Sequence, residues 1–249
     1  KISHESSDVV NDIIKNRGKN WENDSEKRQG TYVVGMDITF LEKMKVKISM
    51  KNYLKEAIEA FGEDMTMGAA TPTTRNLFEV NEDLALLKPK KAELFHHIVA
   101  NVVFVARWTR IDIQLTIAFL CTGVSKSTEE DWEKLHQVLK YVYKTIDLPR
   151  TVGAENISVL QTWVDAAYAV HNDMHSHTGG ISLAYGVISS KSSKQKINVK
   201  SSTAAELVGV SDFIPNTLWL NCFLKKGYKI QTNIFYQDIQ SVILLETNG

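Results

Sequence analysis

The order of patterned segments after residue 158 constrains the fold of this chain most. Hydrophobic alternation predicts strands at Val159–Ala169, Gly180–Tyr185 and Val187–Val199, then a helix over Thr203–Phe213 and a strand at Ile230–Tyr236. A right-handed crossover through the helix would bring that last strand back beside the first as its parallel neighbour. The order therefore predicts an α/β fold with one mixed sheet.

Two further features belong to this region. Pro215 is expected to break or kink the helix, which resumes over Asn216–Lys226. A last helix is predicted over Gln240–Glu246, and an irregularity is expected within the third strand at Ser192-Ser193. None of these changes the predicted strand order.

Three carboxylates lie on these elements. Asp165 interrupts an apolar, strand-like run (LQTWVDAAYAV), Glu206 lies in the predicted first helical turn, and Asp238 follows the last strand. The predicted parallel pairing places Asp165 and Asp238 on neighbouring strands. Two divalent cations roughly 3.5–4 Å apart need several hard oxygen ligands that converge on one point. The three carboxylates therefore predict a two-metal site.

Each carboxylate also has a structural alternative. An ionised group inside an apolar strand is costly unless a cation or hydrogen bonds accept it, which favours metal binding by Asp165 over a purely structural role. Thr203 and Glu206 have the spacing of a capping box, so Glu206 taken alone fits a helix cap equally well. Asp238 has the alternative of capping the helix that follows it.

Three segments of this region carry a family resemblance. WVDAAYAVHNDMHSHTGG, SSKQKINVKSSTAAELVGVSD and NIFYQDIQSVILLETNG resemble the RNase H domain of copia-type LTR retrotransposon polyproteins, densely over Leu160–Gly249. The resemblance implies an RNase H-like mixed sheet and hydrolysis of the RNA strand of an RNA–DNA hybrid. It also implies that Asp165, Glu206 and Asp238 are catalytic ligands of two Mg²⁺ ions, with Mn²⁺ as an alternative.

The preceding part of the chain resembles the same polyproteins. FHHIVANVVFVARWTRIDI and DWEKLHQVLKYVYKT are similar to their thumb-to-connection region, and the block around Tyr32 and Gly35-Met36 is similar to the primer-gripping hairpin of reverse transcriptases. The resemblance implies three units: a palm remainder with α+β elements at 1–85, thumb and connection helices at 86–150, and the RNase H-like domain at 155–249.

Departures from the family pattern limit what the resemblance implies. No Asp-Asp pair occurs, so the polymerase motif Tyr-x-Asp-Asp is absent and the chain is expected to begin just past it, with the upstream palm of the Pol polyprotein as a partner. Ile239 stands where the family generally has Asn. Family members have a fourth carboxylate on a segment that would follow Gly249. With only the three carboxylates of the sequence given, a weakly held second metal is expected. A non-catalytic nucleic-acid-binding remnant is therefore the alternative function.

The first sixty residues contain simpler patterns. They predict an amphipathic helix over Lys1–Arg17, a polar linker over Gly18–Gly30, and a short helix over Asn52–Phe61 that ends at Gly62. Between them, Thr31–Phe40 and the alternating Val46, Ile48 and Met50 predict a β-hairpin around a turn at residues 42–44.

The middle of the chain is predicted to be helical. A loop is predicted over Gly68–Asn76, and helices over Lys90–Arg107, Asp112–Leu120 and Glu129–Lys144. Ser127 and Glu130 have the spacing of a capping box for the last of these helices. Ile111 stands where the family usually has Pro, so a looser corner is expected there. Pro149–Ser158 has no pattern and is predicted to be a linker between domains.

The net charge of zero hides a local excess of positive charge. Residues Met174–Ala205 contain no acidic side chain but include Lys191, Lys194, Lys196 and Lys200. These lysines are predicted to bind the phosphates of a nucleic acid. The alternative is a solvated, lysine-rich hairpin without a ligand.

Four polar residues in the predicted turn between the first two strands form a second cluster. They are His171, Asp173, His175 and His177. A solvated turn is favoured over a transition-metal site, because the sequence offers no fourth zinc ligand. A serine hydrolase is disfavoured because no Gly-x-Ser-x-Gly motif occurs.

The remaining features concern the compartment. Cys121 and Cys222 lie in apolar surroundings and are predicted to be buried free thiols, as in a reducing intracellular compartment. The longest apolar region, Ile98–Cys121, contains charged side chains and is not predicted to span a membrane. The expected location is the cytoplasm, within a retrotransposon particle, or the nucleus, with no membrane partner.

Overall fold

The structure is a computed structural model that describes residues 30–42, 45–81, 83–153, 158–184, 186–227, 230, 232–238 and 242–244. It shows a mixed α/β protein with two four-stranded sheets, one of them mixed. The coarse α/β prediction is confirmed. The helix predicted over Lys1–Arg17 and all but the last residue of the linker that follows it lie outside the described residues.

The first sheet is antiparallel, with its strands in chain order. Its strands are β1 (Gly30–Val33), β2 (Met36–Leu41), β3 (Lys45–Ser49) and β4 (Arg150–Gly153). The predicted pairing of β2 with β3 is confirmed, but the single strand predicted over Thr31–Phe40 is wrong. Val34 and Gly35 both have positive φ and form a two-residue turn, which folds β1 back onto β2.

Strand β4 lies in the segment that the sequence predicts to be a linker. It pairs with β3, with Val152 opposite Val46, so the linker prediction is wrong over residues 150–153. Four residues are too few to show a period, and their partner strand is remote in the chain. Arg150 also donates hydrogen bonds to the backbone oxygens of Val187 and Trp108, at 3.1 and 3.0 Å. These bonds tie β4 to the second sheet and to the helices.

Four helices fill the region between β3 and β4. They are α1 (Lys51–Phe61), α2 (Pro89–Trp108), α3 (Gln114–Thr122) and α4 (Glu129–Lys144), with 3₁₀ turns at Ile111–Ile113 and Val124–Lys126. The predicted helices are confirmed, and α1 ends at Gly62 with φ 74°. Their apolar faces form one continuous core that runs from Met50 to Val142.

The start of α4 differs from the prediction by one residue. Thr128 Oγ1 accepts from the backbone N–H of Asp131 at 3.4 Å, and Asp131 Oδ2 accepts from the N–H of Thr128 at 2.9 Å. Glu130 instead forms an ion pair with Lys134 at 2.9 Å. The capping box predicted for Ser127 and Glu130 is therefore wrong, because the same spacing occurs one position later.

The second sheet has the strand order β7-β6-β5-β8. Its elements are β5 (Val159–Ala167), β6 (His177–Leu183), β7 (Val187–Lys194), the helix α5 (Ser202–Lys225) and β8 (Thr232–Tyr236). The prediction of a parallel pair between the first and fourth strands is confirmed, since β5 and β8 are parallel. The register shift lies at Ser182/Leu183 on β6 and not at Ser192-Ser193.

Helix α5 covers one face of this sheet. Val164 packs against Val210 and Phe213, and Leu160 packs against Leu220 and Leu224. The helix runs through Pro215 without ending there, so of the predicted break or kink the break is wrong. Of the last predicted helix, residues 242–244 are described and are helical.

The structure differs from the predicted accessibility of the two cysteines. Cys121 and Cys222 are free but both are exposed, so their predicted burial is wrong. An apolar neighbourhood in sequence does not show which side of a helix a residue occupies. Among the helices that the structure describes, none is long and apolar enough to cross a bilayer.

Gly180 provides a test of the contact between α5 and the sheet. A Cβ atom at Gly180 would lie 2.5 Å from Cε2 of the fully buried Phe213, whereas one at the neighbouring Gly179 would have no atom within 4 Å. We expect Gly180→Ala to lower the unfolding free energy by about 1–3 kcal/mol through overpacking. Gly179→Ala is the matched control and should change it little. Equal effects of the two variants in denaturant titration would contradict this packing.

Candidate metal centre

The register of the parallel pair brings two acidic residues together. Trp163 of β5 lies opposite Tyr236 of β8, and their rings stack with centroids 4.5 Å apart. Asp165 and Asp238 each follow two residues later, at the carboxyl ends of adjacent strands. Residues two apart on a strand lie on the same face. The register therefore places both carboxylates at one edge of the sheet.

The alternation of β5 determines the surroundings of Asp165. Thr162, Val164 and Ala166 are buried, whereas Asp165 lies on the opposite face and is exposed. The sequence argument that Asp165 is forced into an apolar environment is therefore wrong. Hydrophobic neighbours along a strand belong in part to the other face, so they do not desolvate the residue between them.

Glu206 is the buried member of the group. Its side chain is 2% exposed, and its Oε1 accepts a hydrogen bond from the backbone N–H of Ala166 on β5 at 2.9 Å. The helix cap is Ser201, whose Oγ accepts from the N–H of Ala204 at 3.2 Å. Glu206 thus lies beyond the first turn. The capping-box alternative for Thr203 and Glu206 is wrong, because Glu206 bonds to the sheet.

The position of Glu206 changes its acidity. Burial and, to a smaller extent, the nearby charge of Asp165 together raise the pKa of Glu206 to about 7, although the hydrogen bond from the N–H of Ala166 acts to lower it. A carboxyl with such a pKa is partly protonated near neutral pH. A cation at this position would favour the ionised form and release that proton.

Gln237 also belongs to the carboxylate cluster, a role that the sequence did not predict. Its Nε2 donates to Glu206 Oε2 at 3.2 Å, and its Oε1 accepts from the backbone N–H of Asp238 at 3.1 Å. The amide therefore connects two of the three acidic residues. Its place directly before Asp238 at the end of a predicted strand was the signal for its role.

The three carboxylates lie close enough together that they could share a cation. Asp165, Glu206 and Asp238 each present an oxygen atom, and these atoms all lie within 4.8 Å of one another. Opposite oxygen ligands of Mg²⁺ are about 4.2 Å apart, because each bond is roughly 2.1 Å long. Hard oxygen donors with excess negative charge fit a divalent cation of this kind.

The histidine cluster has a different environment from the one predicted. His171 Nε2 lies 3.0 Å from His177 Nδ1, and His177 Nε2 lies 2.7 Å from Ser192 Oγ. Both rings are buried, and burial lowers the pKa of each to about 4. The prediction of a solvated turn is wrong for these two rings. Among the described residues, the acidic triad alone forms a metal-capable group of three or more.

The four predicted phosphate-binding lysines do not share one environment. Lys191, Lys196 and Lys200 are exposed, and the described residues provide them with no hydrogen bond or ion pair. Lys194 is partly buried and forms an ion pair with Asp173, whose pKa is lowered to about 2 chiefly by that hydrogen bond. Three of the four ammonium groups therefore remain available to a ligand.

The fold and the site define a mixed α/β protein with a cluster of three carboxylates at a sheet edge that could hold a metal ion. Over most of its length, the chain is distantly similar to copia-type retrotransposon Pol polyproteins. It is 23% identical over 212 residues to the "Retrovirus-related Pol polyprotein from transposon TNT 1-94" of Nicotiana tabacum. It is 30% identical over 139 residues to the "Retrovirus-related Pol polyprotein from transposon RE2" of Arabidopsis thaliana.

These similarities cover much of this chain but little of the relatives. The matches span 82% and 55% of the chain, but 16% and 9% of the two polyproteins, respectively. No protein-family model matches the chain, and no solved structure matches it. The chain is therefore similar to part of a Pol polyprotein.

Proposed function

We propose that this chain is the RNase H portion of a retrotransposon Pol polyprotein and hydrolyses the RNA strand of an RNA–DNA hybrid. The observation that carries the proposal is the convergence of Asp165, Glu206 and Asp238 within 4.8 Å. The parallel pair β5–β8 and the crossover helix α5 support an RNase H-like arrangement. The similarity to Pol polyproteins supports a nucleic-acid substrate.

Each side chain has a defined part in this proposal. Divalent cations, Mg²⁺ or Mn²⁺, would supply an activated water and stabilise the leaving 3′ oxygen. Asp165 and Asp238 present exposed oxygens at the strand ends, where a phosphodiester can approach. Glu206 is fixed by the N–H of Ala166 and by Gln237, so its carboxylate provides a rigid third ligand.

The proposal extends to the other parts of the chain. We assign residues 1–85 to the remainder of a polymerase palm, 86–150 to thumb and connection helices, and 155–249 to the RNase H-like domain. The helical region contacts β7, since Gln114 Nε2 on α3 donates a hydrogen bond to the backbone oxygen of Ser190 on β7 at 3.5 Å. The remainder of the Pol polyprotein and the hybrid are the expected partners.

A cleavage assay with labelled RNA–DNA hybrid tests the proposed activity. Mg²⁺-dependent cleavage by the chain is expected, and Asp165→Asn should reduce it by at least about 100-fold, because a ligand charge is lost while the volume is kept. Asp212→Asn, at an exposed position of α5, is the matched control and should cleave normally. Equal cleavage by both variants, or none by the unaltered chain, would remove the nuclease proposal.

A non-catalytic binding function is the second candidate. It is favoured by the exposed Lys191, Lys196 and Lys200, whose charges are available whether or not the carboxylates act. This alternative predicts hybrid binding that weakens with salt and survives Asp165→Asn, without Mg²⁺-dependent cleavage. Binding and cleavage assays of the unaltered chain and of Asp165→Asn distinguish the two candidate functions.

A further inference from the structure

A cavity of about 360 Å³ lies where the helical region meets the edge strand of the second sheet. Its walls include Arg107 from α2, Gln114 and Cys121 from α3, and the segment 190–194 from β7. A second cavity of about 310 Å³ continues from it and reaches Asp165. The two cavities share the wall residues Gln114, Ser190, Lys191 and Ser192. Together they form one groove between α2 and the metal centre.

The larger cavity carries positive charge that its own walls do not neutralise. Arg107 and Lys191 are exposed, and neither has a hydrogen bond or ion pair within the described part of the chain. Lys194 is neutralised by Asp173. Among the described residues that line the larger cavity, none is acidic. Two free cations in a concave wall favour an anionic ligand over a neutral one.

Polar side chains of the groove complement the two cations. Ser192 and Ser193 on β7 and Thr122 on α3 place hydroxyl groups along its walls. Ser190 lines both cavities, and its buried Oγ has no hydrogen-bond partner within the described structure. A buried hydroxyl without a partner costs free energy, which a ligand oxygen would offset after a rotamer change. Hydroxyls beside Arg and Lys are typical phosphate contacts.

We propose that this groove binds the phosphodiester backbone of a nucleic-acid strand that continues to the metal centre, with Arg107 as its outermost phosphate contact. The inference rests on the proposed function, because the strand is that of the RNA–DNA hybrid. Continuity with Asp165 favours a polynucleotide over a small anion, which would occupy only one cavity. The groove also makes the helical region, through Arg107, a part of the substrate-binding surface.

The salt dependence of binding tests the contribution of Arg107. Affinity for labelled hybrid is measured in EDTA, so that the strand is not cleaved, over a series of salt concentrations. Arg107→Gln is expected to reduce the slope of log K against log salt by about 0.9, and a second change, Lys191→Gln, by about as much again. Arg75→Gln removes an exposed arginine of the loop 68–76 and should leave the slope unchanged.

The two native cysteines provide an independent footprint. Cys121 lines the groove, whereas Cys222 lies on α5, does not line it, and is also exposed. Saturating hybrid is expected to protect Cys121 from maleimide and to leave the labelling of Cys222 unchanged, as read by mass spectrometry. Although Cys121 is exposed, partial desolvation by its neighbours raises the pKa of its thiol, so labelling is done at about pH 8, where more of the thiolate is present.

The outcomes separate this inference from the proposed nuclease activity. Protection of Cys121 with a reduced slope for Arg107→Gln supports the groove, even if no cleavage is detected. Tight hybrid binding with an unprotected Cys121 and equal slopes for Arg107→Gln and Arg75→Gln would overturn the groove, even if cleavage proceeds. Absence of hybrid binding would overturn the groove as well.

Discussion

Replacing Glu206 with Gln is expected to stabilise the metal-free protein by about 2–3 kcal/mol near pH 8. The carboxylate is buried and lies beside Asp165, so ionising it in the folded state is costly. Glutamine keeps the shape and can still accept from the N–H of Ala166. The substitution removes one hydrogen bond, because the NH2 group of the introduced side chain would face the NH2 group of Gln237 and cannot accept from it. This loss offsets part of the gain in stability.

The sign of the pH dependence follows from the direction of the shift. The folded-state pKa of Glu206 is raised to about 7 from an ordinary value of 4.5. Its favourable contribution is therefore complete below pH 4.5 and is lost as the pH rises through about 7. His171 and His177 act oppositely between about pH 4 and 6.5, because burial lowers their pKa to about 4. The comparison with Glu206→Gln at each pH isolates the Glu206 contribution.

Metal binding should reverse the difference in unfolding free energy between the unaltered protein and Glu206→Gln. Mg²⁺ is expected to stabilise the unaltered protein increasingly as the pH rises through about 7, and to stabilise Glu206→Gln much less. Glu133→Gln, at an exposed position of α4, is the control and should behave like the unaltered protein. Denaturant titrations between about pH 5 and 8, with EDTA or Mg²⁺, measure all three proteins. A stability difference that does not change with pH would contradict the raised pKa.

Replacing Asp112 with Ala is expected to lower the unfolding free energy by about 3 kcal/mol or more, because it leaves a buried guanidinium unpaired. Arg110 is 1% exposed, and its Nε and Nη2 donate to the Asp112 carboxylate at 3.0 and 2.8 Å. Burial acts to raise the pKa of Asp112, but the hydrogen bond and charge of Arg110 hold it below its ordinary value. These bonds, with two more from Arg110 to Thr145, hold the corner that the sequence predicts to be loose.

A double variant separates loss of a contact from exposure of a buried charge. Arg110→Met combined with Asp112→Ala should be more stable than Asp112→Ala alone, since no unpaired charge then remains in the core. Asp212→Ala, at an exposed position of α5, serves as the control for loss of a carboxylate. If the double variant is the less stable of the two, the cost lies in lost packing around Arg110.

The sequence determined the elements whose pattern is local. The strand, helix and strand order after residue 158 predicted the parallel pair, and that pairing alone placed Asp165 beside Asp238. Helical periodicity predicted α1 to α4, because apolar residues at a spacing of three to four must share one face. The capping-box spacing did not identify the start of α4, because Ser127 with Glu130 and Thr128 with Asp131 both fit it.

Only the tertiary structure decided the strand pairing, burial and charge environment of each local element. Strand β4 was not predictable, because its hydrogen bonds go to β3, which is remote in the chain. Likewise, the burial of Glu206 and the exposure of Asp165 depend on which sheet face α5 covers. The groove with Arg107 exists because α2 and α3 pack against β7. Periodicity fixes which residues share a face, but desolvation and charge depend on the surface that packs against that face.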